Sequence, residues 1–144
     1  MKTKLILLVE DDPKDVELTL LALEEYNLRD EVAVVRDGAE ALDYLYRRRE
    51  FSTRSEGAPV VILLDLKMPK VSGLEVLRIL KKDPILKTIS TVVLTSSRED
   101  RDLKECYQLG VNAYVVKPAE FDKFIQVIQD LALFWVMTNE PLPE

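Results

Sequence analysis

Histidine is absent from this chain, and cysteine occurs once, as Cys106. Without imidazole or paired thiolates, His/Cys metal sites and histidine-based catalysis are excluded, and any metal must be held by oxygen. A lone cysteine cannot close an internal disulfide, which points to a cytoplasmic setting. No apolar run approaches the roughly 20 residues of a membrane span, and Met1-Lys2-Thr3-Lys4 leads directly into a short strand with no secretory signal. Positive charge is also short: 20 Lys and Arg against 26 Asp and Glu leave a net charge of −6. That balance argues against a sequence-independent nucleic-acid surface. A length of 144 residues suits one domain with a real core.

What the chain does have is a set of short aliphatic runs that end in reactive side chains. Val60-Val61-Ile62-Leu63-Leu64 has no polar alternation, the pattern of a strand buried on both faces of a parallel sheet. It stops at Asp65, and Pro69 and Gly73 then enforce a loop. Leu5 to Val9 ends in Glu10-Asp11-Asp12, with Asp12 as the expected N-cap and Pro13 in the first turn of a helix. Asp15 lies near the positive helix end. Val16, Leu20 and Leu23 form that helix's inward stripe, whereas Leu18, Leu21 and Ala22 fall on the other side, as a contact surface or against a second neighbour.

Val32 to Val35 is a further strand. A helix from Asp37 to about Arg48 follows, with Leu42, Leu45 and Tyr46 facing in. Arg47-Arg48-Arg49 is either an anion site or a solvated helix end, and residues 50–59 read as an inserted loop. A helix from Ser72 to about Lys82 ends before Asp83-Pro84. Thr91 to Thr95 is the fourth strand, and Ser97 to Asp100 resembles a capping box opening a helix to Leu109, with Gly110 as its C-terminal stop. Ala113 to Val116 is the fifth strand, ending in Lys117-Pro118. In the last helix, Glu120 to Met137, the residues Phe121, Phe124, Ile125, Ile128, Leu131, Ala132 and Trp135 form an inward stripe. Val127, Phe134 and Met137 lie off it, and residues 138–144 are a tail after a domain of residues 1–137.

Strands alternating with helices predict an α/β fold: a doubly wound, flavodoxin-like, five-stranded parallel sheet in the order 2-1-3-4-5 with five helices. In that order Glu10, Asp11, Asp65, Thr95 and Lys117 share one crevice at the carboxyl edge. Three acids held close repel by several kcal/mol (about 4 per pair at 4 Å and an effective dielectric near 20). A single lysine cannot neutralise them, but a hard cation such as Mg²⁺ can. A carboxylate beside Mg²⁺, with a lysine and a hydroxyl opposite, suits reception of a phosphoryl group.

These motifs resemble those of two-component response-regulator receiver domains. They are Leu7-Leu8-Val9-Glu10-Asp11-Asp12-Pro13, Leu64-Asp65-Leu66-Lys67-Met68-Pro69 with Gly73, Val93-Leu94-Thr95-Ser96, and Ala113 to Pro118. The steps of 30 residues from Asp65 to Thr95 and 22 from Thr95 to Lys117 match the compact chemotaxis-type receiver, and the likeness covers roughly residues 3 to 133. The resemblance implies that Asp65 is the phosphoacceptor. It implies Mg²⁺ on Asp11, Asp65 and the Lys67 backbone carbonyl, with Glu10 acting through metal-bound water. Lys117 and Thr95 would bind the phosphoryl group, Thr95 and Tyr114 would form the switch pair, and the Lys117–Pro118 peptide would be cis. The switched surface would be helix 4, strand 5 and helix 5.

Lys67 and Ser97 stand where receivers tune loss of their phosphoryl group, and neither orients a hydrolytic water well, so a long-lived phosphoryl state is expected. Ser96 replaces the small residue common after the hydroxyl. The inserted loop and the Phe134-Trp135 ending resemble stand-alone receivers partnered with phytochrome-type histidine kinases. This implies a homodimer through Val127, Phe134 and Met137 and kinase docking on Leu18, Leu21 and Pro118. Such a protein catalyses its own phosphorylation, turns over no outside substrate, and signals to a downstream protein or relays phosphate.

Three other readings compete. A Mg²⁺-dependent aspartyl-phosphate phosphohydrolase wants a second acid two residues after its nucleophile, where Lys67 stands. A nucleotide binder needs a phosphate-cradling loop where Glu10-Asp11-Asp12 would repel phosphate. A degenerate scaffold would not keep the full set of site residues.

Overall fold

The computed structural model describes residues 5–55 and 57–143; the first four residues, Glu56 of the inserted loop and Glu144 lie outside them. Five parallel strands form one sheet: β1 Ile6–Val9, β2 Val32–Val35, β3 Val61–Leu64, β4 Ser90–Thr95 and β5 Ala113–Val116. Their order is β2-β1-β3-β4-β5, as expected. Helices α1 Pro13–Glu24, α2 Gly38–Tyr46, α3 Gly73–Lys82, α4 Asp100–Leu109 and α5 Phe121–Ala132 cover both faces.

Alternation along each strand divides the core in two. Leu7, Val9, Ile62, Leu64 and Val93 pack with Leu42 and Leu45 of α2, Val76, Leu77 and Leu80 of α3 and Cys106 of α4. Ile6, Leu8, Val61, Leu63, Val92 and Leu94 pack with Val16 and Leu23 of α1 and Phe124 and Ile128 of α5. The central strands β1 and β3 are buried on both faces, which is why they read as continuous aliphatic runs.

Local signals set most helix starts. Asp12 Oδ1 accepts from Lys14 N at 2.9 Å, Asp37 Oδ1 from Glu40 N at 2.8 Å, and Ser72 Oγ from Glu75 N at 3.3 Å. Gly110, at φ +95°, closes α4. The proposed capping box at Ser97 does not form. The N-cap of α4 is Glu99, and the Ser97 hydroxyl instead reaches forward to donate to Asp102 Oδ2 at 2.6 Å.

Several faces differ from the periodicity reading. Ala22 is buried, because α5 lies across α1 and Gln129 Nε2 donates to the Ala22 carbonyl at 3.3 Å. Tyr46 turns outward and donates to Asp83 Oδ2 at 2.8 Å, while Tyr44 takes the inward place, edge-on to Phe51 and beneath the Arg54 guanidinium. Phe121, at the start of α5, is 55% exposed rather than turned inward. The last helix runs on as expected, but Leu133–Thr138 widen into a π-helical turn. The triple arginine proves to be a helix end: Arg48 and Arg49 pair with Asp43 of α2 at 3.4 and 3.3 Å.

Candidate functional site: an acid-lined crevice

The strand register delivers the reactive residues to one level. Val9 pairs with Leu64 and Thr95 with Val116, so Glu10, Asp65 and Lys117 each stand one step past the last paired residue. That extra step turns them toward the α1 side of the sheet, where the first turn of α1 adds Asp15. The Lys117 ammonium lies 2.6 Å from Glu10 Oε1, 2.8 Å from Asp15 Oδ2 and 3.5 Å from Asp65 Oδ2. Asp65 Oδ1 accepts from Leu66 N at 2.8 Å, which fixes the plane of its carboxylate.

Charge in the crevice is unbalanced. Burial pushes the Glu10 carboxyl up to about 7; hydrogen bonding and attraction from Lys117 oppose this, and repulsion from Asp65 adds to it. Burial alone would lower the pKa of Lys117, but hydrogen bonds to Asp15 and Glu10 and the charge of Asp65 raise it overall, keeping the ammonium charged. Carboxylate oxygens of Glu10, Asp11 and Asp65 lie within 4.8 Å of one another, with Asp11 the most open of the three. Three converging hard donors with one compensating cation form a set that could hold a divalent metal ion, and these residues fit it.

The loop after β3 is shaped by close packing. Gly73 N donates to the Leu66 carbonyl at 2.8 Å, and a β-carbon on Gly73 would fall 1.8 Å from the Asp65 carbonyl oxygen. Only glycine permits that approach, so α3 starts directly against the backbone of Asp65.

Thr95 and Tyr114 lie toward the α2–α4 side. The Thr95 hydroxyl accepts from Ser97 N at 3.4 Å, and the Tyr114 hydroxyl donates to the Ser97 carbonyl at 3.0 Å. The Lys67 side chain leaves the crevice to pair with Glu99 at 3.5 Å. No acid stands in its place, as the phosphohydrolase reading would need.

The Lys117–Pro118 peptide is trans: no cis bond occurs among the described residues. Trans is the lower-energy isomer of an X–Pro bond by about 0.5–1 kcal/mol, and Lys117 reaches its three carboxylates without the rarer form. Leu18, Lys117 and Pro118 line one cavity of ≈ 300 Å³. Leu21 lines a separate one of ≈ 340 Å³, and Phe121 borders both. At the chain's end Phe134 and Met137 are 50% and 65% exposed, while Val127 of α5 is half-buried against the core on that face of the sheet.

Sequence reasoning missed Asp15 as a partner of Lys117. Its place in the first turn of α1, directly after the acidic strand end, was the available signal. It also missed Phe121 as a cavity wall, Glu99 as the partner of Lys67, and Asp102.

A doubly wound sheet whose carboxyl edge gathers acids, a hydroxyl and one lysine defines a class of Asp-centred phosphoryl-handling domains. The response regulator receiver domain family model matches residues 6–129, and the chain belongs to that family. Response regulator Rcp1 of Synechocystis sp. is 37% identical over 135 residues, which are 94% of this chain and 90% of Rcp1. The crystal structure of its Mn²⁺-bound form superposes with a TM-score of 0.90 at 36% identity, covering 97% of this chain and 99% of that one. The phosphorylated cyanobacterial phytochrome response regulator RcpA gives a TM-score of 0.91 at 39% identity, covering 99% and 100%. The bacteriophytochrome response regulator RtBRR is 58% identical, covering 99% and 86%, with a TM-score of 0.76. Among the described residues no helix is long and apolar enough to cross a membrane.

Proposed function

We propose that this chain is a single-domain response regulator, of residues 1–137 with a short tail, in which Asp65 takes a phosphoryl group from the phosphohistidine of a sensor kinase. The observation that carries this reading is the buried Asp65 carboxylate, anchored at Oδ1 by Leu66 N and facing Lys117 from Oδ2. A free lone pair of Asp65 attacks phosphorus, the P–O bond forms as the P–N bond breaks, and the electron pair returns to the kinase imidazole. Glu10, Asp11, Asp65 and the Lys67 carbonyl would hold Mg²⁺, Glu10 through water. When bound, the cation neutralises phosphoryl oxygens and screens the acids from one another.

Lys117 trades its hold on Glu10 and Asp15 for a phosphoryl oxygen. The Thr95 hydroxyl turns from Ser97 N to donate to another, and the Tyr114 ring follows into the space it leaves. The surface of α4, β5 and α5 thereby reports the charge on Asp65 to a downstream protein or relay partner.

RcpA and RtBRR are phytochrome response regulators, which supports a phytochrome-type kinase as the donor, in the cytoplasm. The cavity walled by Leu18, Pro118 and Phe121, with Leu21 beyond it, receives the donor domain. Exposed Phe134 and Met137, flanked by Val127, form a homodimer face. Sedimentation should give a dimer at micromolar concentration that Phe134→Ala splits; a monomeric wild type refutes the dimer.

Incubation with Mg²⁺ and acetyl phosphate, followed by intact mass, tests the core reading. One added phosphoryl mass is expected, absent from Asp65→Asn and without Mg²⁺. A folded wild type that gains none overturns it.

A further inference from the structure

Both members of the switch pair are tied to one residue that belongs to neither. Ser97 N donates to the Thr95 hydroxyl, and the Ser97 carbonyl accepts from the Tyr114 hydroxyl. The Ser97 side chain in turn donates to Asp102 Oδ2 at 2.6 Å and accepts from Glu99 N at 3.3 Å. Ser97 and Asp102 are 8% and 9% exposed. A hydroxyl-to-carboxylate bond this short and dry is among the stronger hydrogen bonds a protein makes, and an acid left without it there would be buried unsatisfied. Asp102 sits in the first turn of α4, so the bond fastens the β4–α4 loop to the helix that follows.

We propose that the Ser97–Asp102 hydrogen bond is a latch holding Thr95 and Tyr114 in their unphosphorylated arrangement, with Asp102 a positioning residue that sets how readily Asp65 is phosphorylated. The proposal rests on Asp65 being the phosphoacceptor. For the Thr95 hydroxyl to turn toward a phosphoryl oxygen it gives up Ser97 N, and for the Tyr114 ring to turn inward its hydroxyl gives up the Ser97 carbonyl. Both movements need the peptide units around Ser97 to shift, and the latch resists that shift. A ligand can move a two-state equilibrium only by its differential affinity, so a stronger latch means less switching for the same phosphoryl contacts. Cutting it favours the switched arrangement before any phosphoryl group arrives.

The test measures the rate constant of phosphorylation by acetyl phosphate with Mg²⁺, by intact mass. The proteins are wild type, Ser97→Ala, Ser97→Thr, Asp102→Ala and the double variant Ser97→Ala/Asp102→Ala. Glu105→Gln serves as control, because it cuts the Arg78–Glu105 pair that ties the same helix to α3. Ser97→Ala and Asp102→Ala should each react at least threefold faster than wild type, the double variant no faster than either single, and Ser97→Thr close to wild type. If Asp102→Ala does not fold, Ser97→Ala against Ser97→Thr decides alone. Unchanged rates in Ser97→Ala, or an equal acceleration in Glu105→Gln, overturn the latch while wild-type phosphorylation stands. Absence of any mass gain in the wild type instead overturns the phosphoacceptor reading beneath it.

Discussion

Replacing Asp11 by asparagine should stabilise the metal-free protein, although point substitutions more often cost about 1 kcal/mol. The ion pairs of Lys117 go to Glu10, Asp15 and Asp65, so Asp11 sits in the acidic cluster without sharing that compensation. Its carboxylate lies within 4.8 Å of those of Glu10 and Asp65. At that separation two unit charges repel by about 3.5 kcal/mol at an effective dielectric near 20, and by a little under 1 kcal/mol in water. Two factors pull the estimate down: Asp11 is the most open of the three, and Glu10, with a pKa of about 7, carries only part of its charge at neutral pH. A gain of about 1–2 kcal/mol remains, worth roughly 2–8 °C in Tm for a chain of this size.

Urea unfolding in EDTA at pH 7 measures the gain directly. Adding Mg²⁺ should then reverse the order. Wild type gains RT ln(1 + [Mg²⁺]/Kd), about 2.7 kcal/mol at a hundred times Kd, and Asp11→Asn, missing a ligand, gains far less. An Asp11→Asn protein less stable than wild type in EDTA, or one that gains as much from Mg²⁺, would refute the account of three mutually repelling ligands.

Gly73→Ala should cost about 3 kcal/mol or more and slow phosphorylation, because its β-carbon meets the Asp65 carbonyl oxygen at 1.8 Å and the backbone must move; wild-type stability by urea unfolding would contradict this. For pH, the folded-state pKa of Glu10 is raised from 4.5 to about 7, so the fold takes up a proton that the unfolded chain does not. That contribution is complete below about pH 4.5 and is lost as pH rises through 7, so metal-free stability should fall across this window relative to Glu10→Gln. Parallel pH profiles for the two proteins would rule it out. Phosphorylated wild type should lose phosphate several-fold more slowly than Lys67→Asn, because the Lys67 side chain turns to Glu99 and aligns no water. Radiolabel decay would read this, and faster loss in the wild type would count against it.

The aliphatic runs from Ile6, Val61 and Thr91, read from sequence alone, became the central strands, since a strand buried on both faces must be apolar without alternation. The cap at Asp12 and the helix starts at Asp37 and Ser72 were equally legible, because each of these side chains bonds a backbone N–H two or three residues away. The sheet order followed from the strand–helix alternation, and with it the meeting of Glu10, Asp65 and Lys117. Contacts between distant residues and the coverage of each helix face were settled only in three dimensions. Asp15 reaches Lys117 across 102 positions because the strand ends turn toward α1. Periodicity gives a helix a face but does not say whether anything covers it, so Phe121 and Tyr46 turned outward and Ala22 inward. The trans Lys117–Pro118 bond and the tie from Ser97 to Asp102 likewise depend on where the β4–α4 and β5–α5 connections come to rest. Local hydrogen bonding and burial of strands are properties of short stretches of chain, while the partners of a buried charge depend on which stretches the fold brings together.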